Sequence, residues 1–553
     1  MTASNAEMRF RLRPIAFWSL VGALIALKFG LVSDISVEII FGPHDDSLYI
    51  ERAHHLLKGE GYGPYHSRLL VKYPGISFWL AGTRTLGIPF LPSVHSLYVA
   101  AGLYVLVGFL RAGVGRWLAI SAFALWLFNP VTLGYEWARV IREPLGTGLF
   151  ALMAGAMLHA FAGVAERRPP WLHLGVFAPV FAFLLYLRED DRLLWGMLVI
   201  FVAVMASQLL QQRLFLRRLL AFVVAAAIIP GLMGKAYEFW LRGFVQERYG
   251  LPIVNDFGEG EFPRLLAVIR SVESRKDNRM VMVTQEALQK LHLVIPDFRP
   301  VIERLPPPGP RTFSCRIQGV CSEWSNGWML FWIKEHAYRS GLTPGLPQAQ
   351  AYFRSVREQI ERACGTQALQ CTHKGDAMVP PMELRWARAL VAEAWRLAKL
   401  TLMPDPYLTR IFYLQHGVPA ELGRKFEAVT MTDYAEVEPG PAGSTGTSGP
   451  LALWRKYLAG GYQLVAVFLL LAGIAALAVR LWISDRMPLD PVAQVAAVVG
   501  IYLLARLAVL SYIAVFMGPL EPRFVFSTYA IGTLVSLPLI ANTLSALSRL
   551  NCH

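Results

Sequence analysis

Apolar residues in this chain are gathered into long, nearly unbroken runs separated by short polar stretches. A helix rises about 1.5 Å per residue, so roughly 20 apolar residues cross the hydrocarbon core of a bilayer. About ten runs approach that length: 14–32, 91–110, 117–133, 145–164, 171–187, 193–210, 219–234, 462–483, 492–518 and 524–547. Segment 73–88 is short and interrupted by Arg84, which predicts a juxtamembrane or re-entrant piece and not a crossing. No small-residue cleavage site follows the first run, so it reads as a retained helix.

Between the seventh and eighth runs the pattern changes. Segment 235–457 has helix-period apolar positions and sparse strand signals, with a proline-rich break, "RLPPPGPR" (304–311), and a tether-like stretch, "EPGPAGSTGTSGP" (438–450). Within it "MELRWARALVAEAWRLAKLTLM" (382–403) predicts an amphipathic helix able to lie on a membrane. The expected architecture is an all-α integral membrane protein of about ten transmembrane helices with a large, mainly helical loop domain. Its parts are an N-terminal membrane module (1–234, first outer loop 33–90), a soluble subdomain (235–457) and C-terminal membrane helices (458–553).

Composition agrees: 55% of residues are hydrophobic and 17% charged, as in membrane proteins. Lys and Arg collect on the cytoplasmic side of short loops. With Arg9, Arg11 and Arg13 inside, the count of crossings also places Arg111, Arg116, Arg167, Arg168, Arg213, Arg217, Arg218, Arg480, Arg486 and Arg549 inside. The chain is therefore expected in a plasma or inner membrane with its N-terminus cytoplasmic and its long loop periplasmic or extracellular. The net charge of +14 is explained by inner-loop arginines and lipid phosphate, without nucleic acid. Cys315, Cys321, Cys364 and Cys371 all fall in the long loop, at spacings that suit two local disulfides in an oxidising compartment and are wider than most zinc sites use. Cys552 is expected inside as a free thiol.

The outer connections mix acids and arginines. They are "FGPHDDSLYIERAHHLLKGEGYGPYHS" (41–67), "YEWARVIREP" (135–144), "LREDDR" (187–192) and "GPLEPR" (518–523). A carboxylate at the water–lipid boundary can act as general base toward an acceptor hydroxyl or hold a divalent metal, Mg or Mn, against a departing phosphate. Asp45 and Asp46, on a helix start, can divide such roles, with Asp45, Tyr49 and Arg52 on one face. Asp46 and Glu143 are the candidate metal ligands. His44, His54, His55 and His66 lack a paired ligand spacing and read as solvated interfacial histidines. Arg506, at mid-membrane depth, is expected to face a cavity or a counter-charge, with Glu143 or a lipid phosphate as candidates.

The order of a first helix, D-D-x-x-Y, A-x-x-L-L-x-G and then K-Y-P-G (Lys72 to Gly75) resembles the first outer loop of GT-C glycosyltransferases, the polyprenyl-phosphate-sugar enzymes that include protein O-mannosyltransferases and lipid A aminoarabinose transferases. "RVIREPLGTGLF" is similar to the family's R-x-D-P-L element, with Arg142, Glu143, Pro144 and Leu145 near those places. Tyr73 and Gly75 depart from the family's K-P-P-L, and the soluble part precedes the last three helices, whereas several relatives carry theirs at the C-terminus. The resemblance implies a catalytic Asp45 or Asp46, a supporting acid at Glu143, and phosphate contacts from Lys72 and the outer arginines Arg139, Arg142, Arg188 and Arg523. It implies an inverting enzyme that moves a sugar from a polyprenyl-phosphate donor to a glycan, lipid or protein acceptor. The chain has no phosphate-cradling glycine loop on a strand–helix unit, so no nucleotide is called for. A transporter or flippase for a lipid-linked or anionic substrate, and a non-catalytic receptor with a disulfide-bonded outer domain, are the alternatives.

Overall fold

Local capping chemistry determines where the apolar runs become helices. Before the run at 491, the Asp490 carboxylate accepts from the backbone N–H of Val492 and Ala493 (3.0 and 3.1 Å), and Pro491 supplies the fixed φ of a first helical turn. The computed structural model of the protein describes residues 14–37, 45–168, 171–211, 216–275, 278–310, 312–372, 383–404, 419–432, 451–485, 487–518 and 520–550. Arg9, Arg11, Arg13, Arg213, Arg486, His44 and Cys552 lie outside the described residues. No strand forms among the described residues, and an isolated antiparallel bridge pairs Val272 with Cys371.

In the first half of the chain the helices are α1 (Pro14–Val32), α2 (Asp46–Leu57), α3 (Gly75–Thr85), α4 (Phe90–Arg111), α5 (Arg116–Leu127), α6 (Tyr135–Ala138), α7 (Arg142–Ala165), α8 (Trp171–Leu184), α9 (Leu194–Gln211) and α10 (Leu216–Tyr249). The long polar segment adds α11 (Glu261–Ser271), α12 (Gln285–Val294), α13 (Arg299–Ile302), α14 (Phe313–Gln318), α15 (Asn326–Arg339), α16 (Leu346–Gly365), α17 (Ala387–Leu402) and α18 (Ala420–Thr430). Three apolar helices follow: α19 (Ala452–Trp482), α20 (Pro491–Met517) and α21 (Phe526–Leu550).

Seven of these helices, α1, α4, α7, α9, α19, α20 and α21, are long and apolar enough to cross a membrane, and the chain is an integral membrane protein. The sequence suggested about ten runs, and two of the others, α5 and α8, are shorter apolar helices. In α5 the helix stops at Leu127, because Asn129 turns the chain at Pro130 by accepting from the Val131 N–H (3.2 Å). In α8 it stops at Leu184, short of the expected 187. The run at 219–234 becomes the first half of α10, which continues unbroken to Tyr249, so the expected boundary at 234/235 falls inside one helix. Segment 73–88 forms α3, 11 residues long.

Small residues set the close helix crossings, as membrane packing favours. Gly102 of α4 faces the Trp126 ring of α5, while Gly148 and Gly155 of α7 face Leu97, Tyr104 and Val105 of α4. Gly473 of α19 faces Ser536 of α21. The most enclosed of the seven is α7, which carries Arg142 and Glu143 on its first turn.

Two ends of the bundle differ in chemistry. At one end Arg111 pairs with Glu166 (2.9 Å) and Arg480 with Asp490 (3.2 Å). At the other, Asp34 pairs with Arg455, and here the long segment sits. Its helices α11–α13, α15 and α16 enclose a separate apolar core including Phe262, Ile269, Leu291, Ile333 and Phe353. The expected disulfides are present as Cys315–Cys321 and Cys364–Cys371. Arg279, Asn326 and Gln318 from this segment donate to the carbonyls of Val515, Phe516 and Met517 (2.9, 2.7 and 2.5 Å), satisfying acceptors that the end of α20 would otherwise leave orphaned. Alongside, α17 buries Leu397 against Leu510 and Val525 and exposes Val391 and Trp395, the amphipathic division its sequence predicts.

Candidate functional site

Five connections at the same end of the bundle bring their charges together. The first is α2. Asp45 stands at its N-cap and Asp46 on its first turn, and the two carboxylates face different partners. Asp45 accepts from Lys72 Nζ (2.9 Å) with one oxygen and from Arg523 Nη2 (3.1 Å) with the other. Asp46 is wholly buried and held by Arg139 through Nη2 (2.7 Å) and Nε (3.2 Å), while Arg139 also donates to Glu136 (2.8 Å). Burial pushes the Asp46 carboxyl up to about 6, and the Arg139 guanidinium opposes that rise.

Lys72 is placed by α2 itself. Arg52, buried on that helix, donates to the carbonyls of Leu69 and Lys72, the latter at 3.0 Å, and so pins the strip that ends in the Lys72 side chain. Arg52 thus serves the backbone. Tyr49 is buried with its ring 5.9 Å from the Arg142 guanidinium.

A second row of charges runs behind the first. Arg188 donates to Glu143 (2.6 Å) and to Asp190 (2.8 Å), and Asp190 accepts from Arg506 (2.9 Å). Arg142 donates to Glu189 (2.8 Å). Arg506 takes Asp190 as its counter-charge, with Ser527 Oγ at 2.6 Å, a partner that the sequence reading did not name. A carboxylate at the α8–α9 connection suits this place because α9 packs against α20, at a depth where an unpaired guanidinium is costly. Arg523 sits on the turn between α20 and α21, 2.5 Å from Glu521, and its position links Asp45 to the cavity wall formed by Glu143, Arg188 and Arg506. That cavity measures about 20 Å³, room for one water.

The structure brings together all eight residues singled out for the site: Asp45, Asp46, Lys72, Arg139, Arg142, Glu143, Arg188 and Arg523. They form pairs, and the pairing was not foreseen. Sequence reading passed over Glu136, Glu189, Asp190 and Asp191, although each lies in a quoted acid–arginine stretch; Glu136, three residues before Arg139 on a short helix, had the spacing of an ion pair.

The donor set does not fit a metal held by Asp46 and Glu143. Both Asp46 oxygens accept from Arg139, and Glu143 gives Oε1 to Arg188, which leaves its buried Oε2 as the single open oxygen of the two carboxylates. Among the described residues no group of three or more His, Cys, Asp or Glu stands close enough to ligate an ion. Of the histidines, His55 pairs with Glu60 (2.6 Å), and burial pushes His66 down to about 4.

Comparison with family models and with curated proteins found no match. Among solved structures, two crystal structures of ArnT from Cupriavidus metallidurans are similar to this chain. The form bound to undecaprenyl phosphate is 13% identical over 97% of this chain and 79% of that one, with a TM-score of 0.28. The apo form is 15% identical over 91% and 78%, with a TM-score of 0.32.

Proposed function

We propose that this protein is a GT-C-type membrane glycosyltransferase that moves a sugar from a polyprenyl-phosphate donor to an acceptor hydroxyl at the extracytoplasmic face, with inversion at the anomeric carbon. The observation that carries this reading is Asp45 held between Lys72 and Arg523. Ammonium and guanidinium groups are also the groups that grip a phosphate. A donor phosphate that draws Lys72 and Arg523 to itself relieves the Asp45 carboxylate of those two cations, which raises its affinity for an acceptor proton.

The step balances without a further reactant. The acceptor oxygen attacks the anomeric carbon opposite the phosphate, and its proton passes to Asp45. The bond from that carbon to the phosphate oxygen breaks, and its electron pair stays on the lipid phosphate, where Lys72 and Arg523 stabilise the growing charge. Asp46, Arg139, Arg142, Glu143 and Arg188 hold the walls through their mutual pairs and aim the reacting groups. No metal enters this step.

The test incubates purified protein with a panel of polyprenyl-phosphate sugars and measures released lipid phosphate. Asp45→Asn is expected to slow release by about 10²–10⁴-fold, the ordinary contribution of a general base, while binding the donor at least as tightly, since Lys72 and Arg523 lose a competitor. Full rates in Asp45→Asn, Asp46→Asn and the double variant would remove this mechanism. A flippase would move the donor across vesicles and release no lipid phosphate.

A further inference from the structure

A second cavity, of about 740 Å³, lies beside the charged network and is used by nothing in the mechanism above. We propose that it is the acceptor subsite and that it takes a saccharide bearing an anionic group, a carboxylate or a phosphate; the word acceptor rests on the transferase reading, the anionic saccharide does not. Its volume is that of a ligand site. Membrane helices and the long segment build it jointly, from the α8–α9 connection, the middle of α10, and the loop that leads into α11.

The lining carries four cations, Arg192, Lys235, Arg242 and Arg264, against two carboxylates, Glu238 and Glu259. Arg242 is spent on those carboxylates, at 2.9 Å from Glu259 and 3.1 Å from Glu238. The surplus rests on the others. Arg192 reaches Glu259 only at 3.7 Å; Arg264 pairs at 3.3 Å with Glu261, which Arg354 and Arg357 share; and the Lys235 pair to Glu238, at 2.8 Å, leaves its side chain 70% exposed. A solvated pocket with surplus guanidinium and ammonium groups selects an anion. The rings of Tyr186 and Trp195 on the same wall offer an apolar face with a polar edge, which suits a sugar ring.

Position supports the assignment. Arg192 Nη2 donates to the Tyr73 hydroxyl (2.5 Å), and Tyr73 adjoins Lys72, whose ammonium holds Asp45. The Asp256 N–H donates to Leu70 O (2.9 Å), so the loop forming one wall is fastened to the strip that carries Lys72. The cavity's Arg192 is thus joined through Tyr73 and Lys72 to the Asp45 carboxylate.

The experiment is equilibrium binding to the full-length protein in nanodiscs, with fluorescent trigalacturonate and glucose 1-phosphate as charged probes and maltotriose as the neutral one. At least one charged probe is expected to bind about tenfold or more tightly than maltotriose, to protect Lys235 from an amine reagent, and to weaken by about tenfold to hundredfold in Lys235→Glu/Arg264→Glu, the loss of one or two charge-assisted contacts. Both positions are exposed, so an unchanged thermal midpoint is expected and shows that the double variant is folded. Equal binding of charged and neutral sugars, binding of none, or the same affinity in the double variant overturns the subsite. The two readings fail separately. Charge-dependent binding without transfer from any polyprenyl-phosphate sugar sinks the transferase and leaves the anion site, and transfer to neutral acceptors alone sinks the anion site and leaves the transferase. The same sugars on a lipid anchor, compared by half-saturation, tell a membrane-borne acceptor from a free one.

Discussion

Replacing Asp46 by Asn separates the two adjacent aspartates. Asp46 shares Arg139 with Glu136, so two buried carboxylates face one guanidinium. Burial raises the Asp46 carboxyl from 3.8 to about 6 despite Arg139. A shift of roughly two units corresponds to about 3 kcal/mol. The folded protein binds the extra proton between about pH 4 and 6 and the unfolded chain does not, so stability falls as pH rises through that window. Above pH 6 the full cost is present. Asn keeps the shape and one acceptor for Arg139 and removes the charge; Asp46→Asn should therefore be at least as stable as the wild type at pH 7.5. Thermal unfolding of both proteins in detergent from pH 4.5 to 7.5 reads the difference, and the wild type should lose ground to the variant by up to about 3 kcal/mol across the range. Lipid-phosphate release should survive, because Asp45 remains. Parallel pH profiles for the two proteins, or a folded Asp46→Asn protein without transfer, would refute the division of labour.

Three further perturbations have defined outcomes. Arg506→Leu takes one of two guanidinium partners from Asp190, which keeps Arg188, and should cost about 1.5–3 kcal/mol in unfolding experiments, with part of it regained in Arg506→Leu/Asp190→Asn; no regain means the pair is not the source. Gly102→Ala places a methyl against Trp126, which is stacked 3.9 Å from Tyr98 and hydrogen-bonded to its carbonyl, so a loss of about 1–3 kcal/mol is expected from α4–α5 overpacking, read as a lower thermal midpoint. Cys364→Ser/Cys371→Ser frees a short loop and should cost about 2–3 kcal/mol, seen as faster proteolysis within 261–371 while the membrane helices remain protected.

Much of the helical layout was legible because lipid imposes its own rule: every spanning backbone group must be satisfied within the helix, so unbroken apolar runs become helices. The first run, 14–32, coincides with α1. The Asn129–Pro130 stop inside the third run was written in the sequence too, as a turn signal that continuous hydrophobicity masked. The convergence of Asp45 and Lys72 was readable from a motif, and Arg523 joined them through the count of crossings. Partner choice was not readable. Arg506 meets Asp190 across 316 positions of chain, and nothing local to either names the other. The same holds for Arg279, Gln318 and Asn326, whose hold on the last carbonyls of α20 comes from the folded shape of the long segment alone.

That hold bears on how a donor enters. The resting site keeps its charges in closed pairs, and the space among Glu143, Arg188, Arg506 and Arg523 admits a water and no phosphate. On the transferase reading a donor phosphate must exchange with a carboxylate already present, and Asp45 is the one that Lys72 and Arg523 share. On that reading, exchange delivers two things at once: the phosphate acquires Lys72 and Arg523, and Asp45 loses the two cations that hold down its basicity. Without donor the base stays masked. The two cations arrive from opposite ends of the chain, Lys72 on a strip pinned by Arg52 and Arg523 on the turn that leaves α20. Because the long segment fixes the end of α20, it sets how far apart those cations stand, and with it the one distance on which the exchange depends.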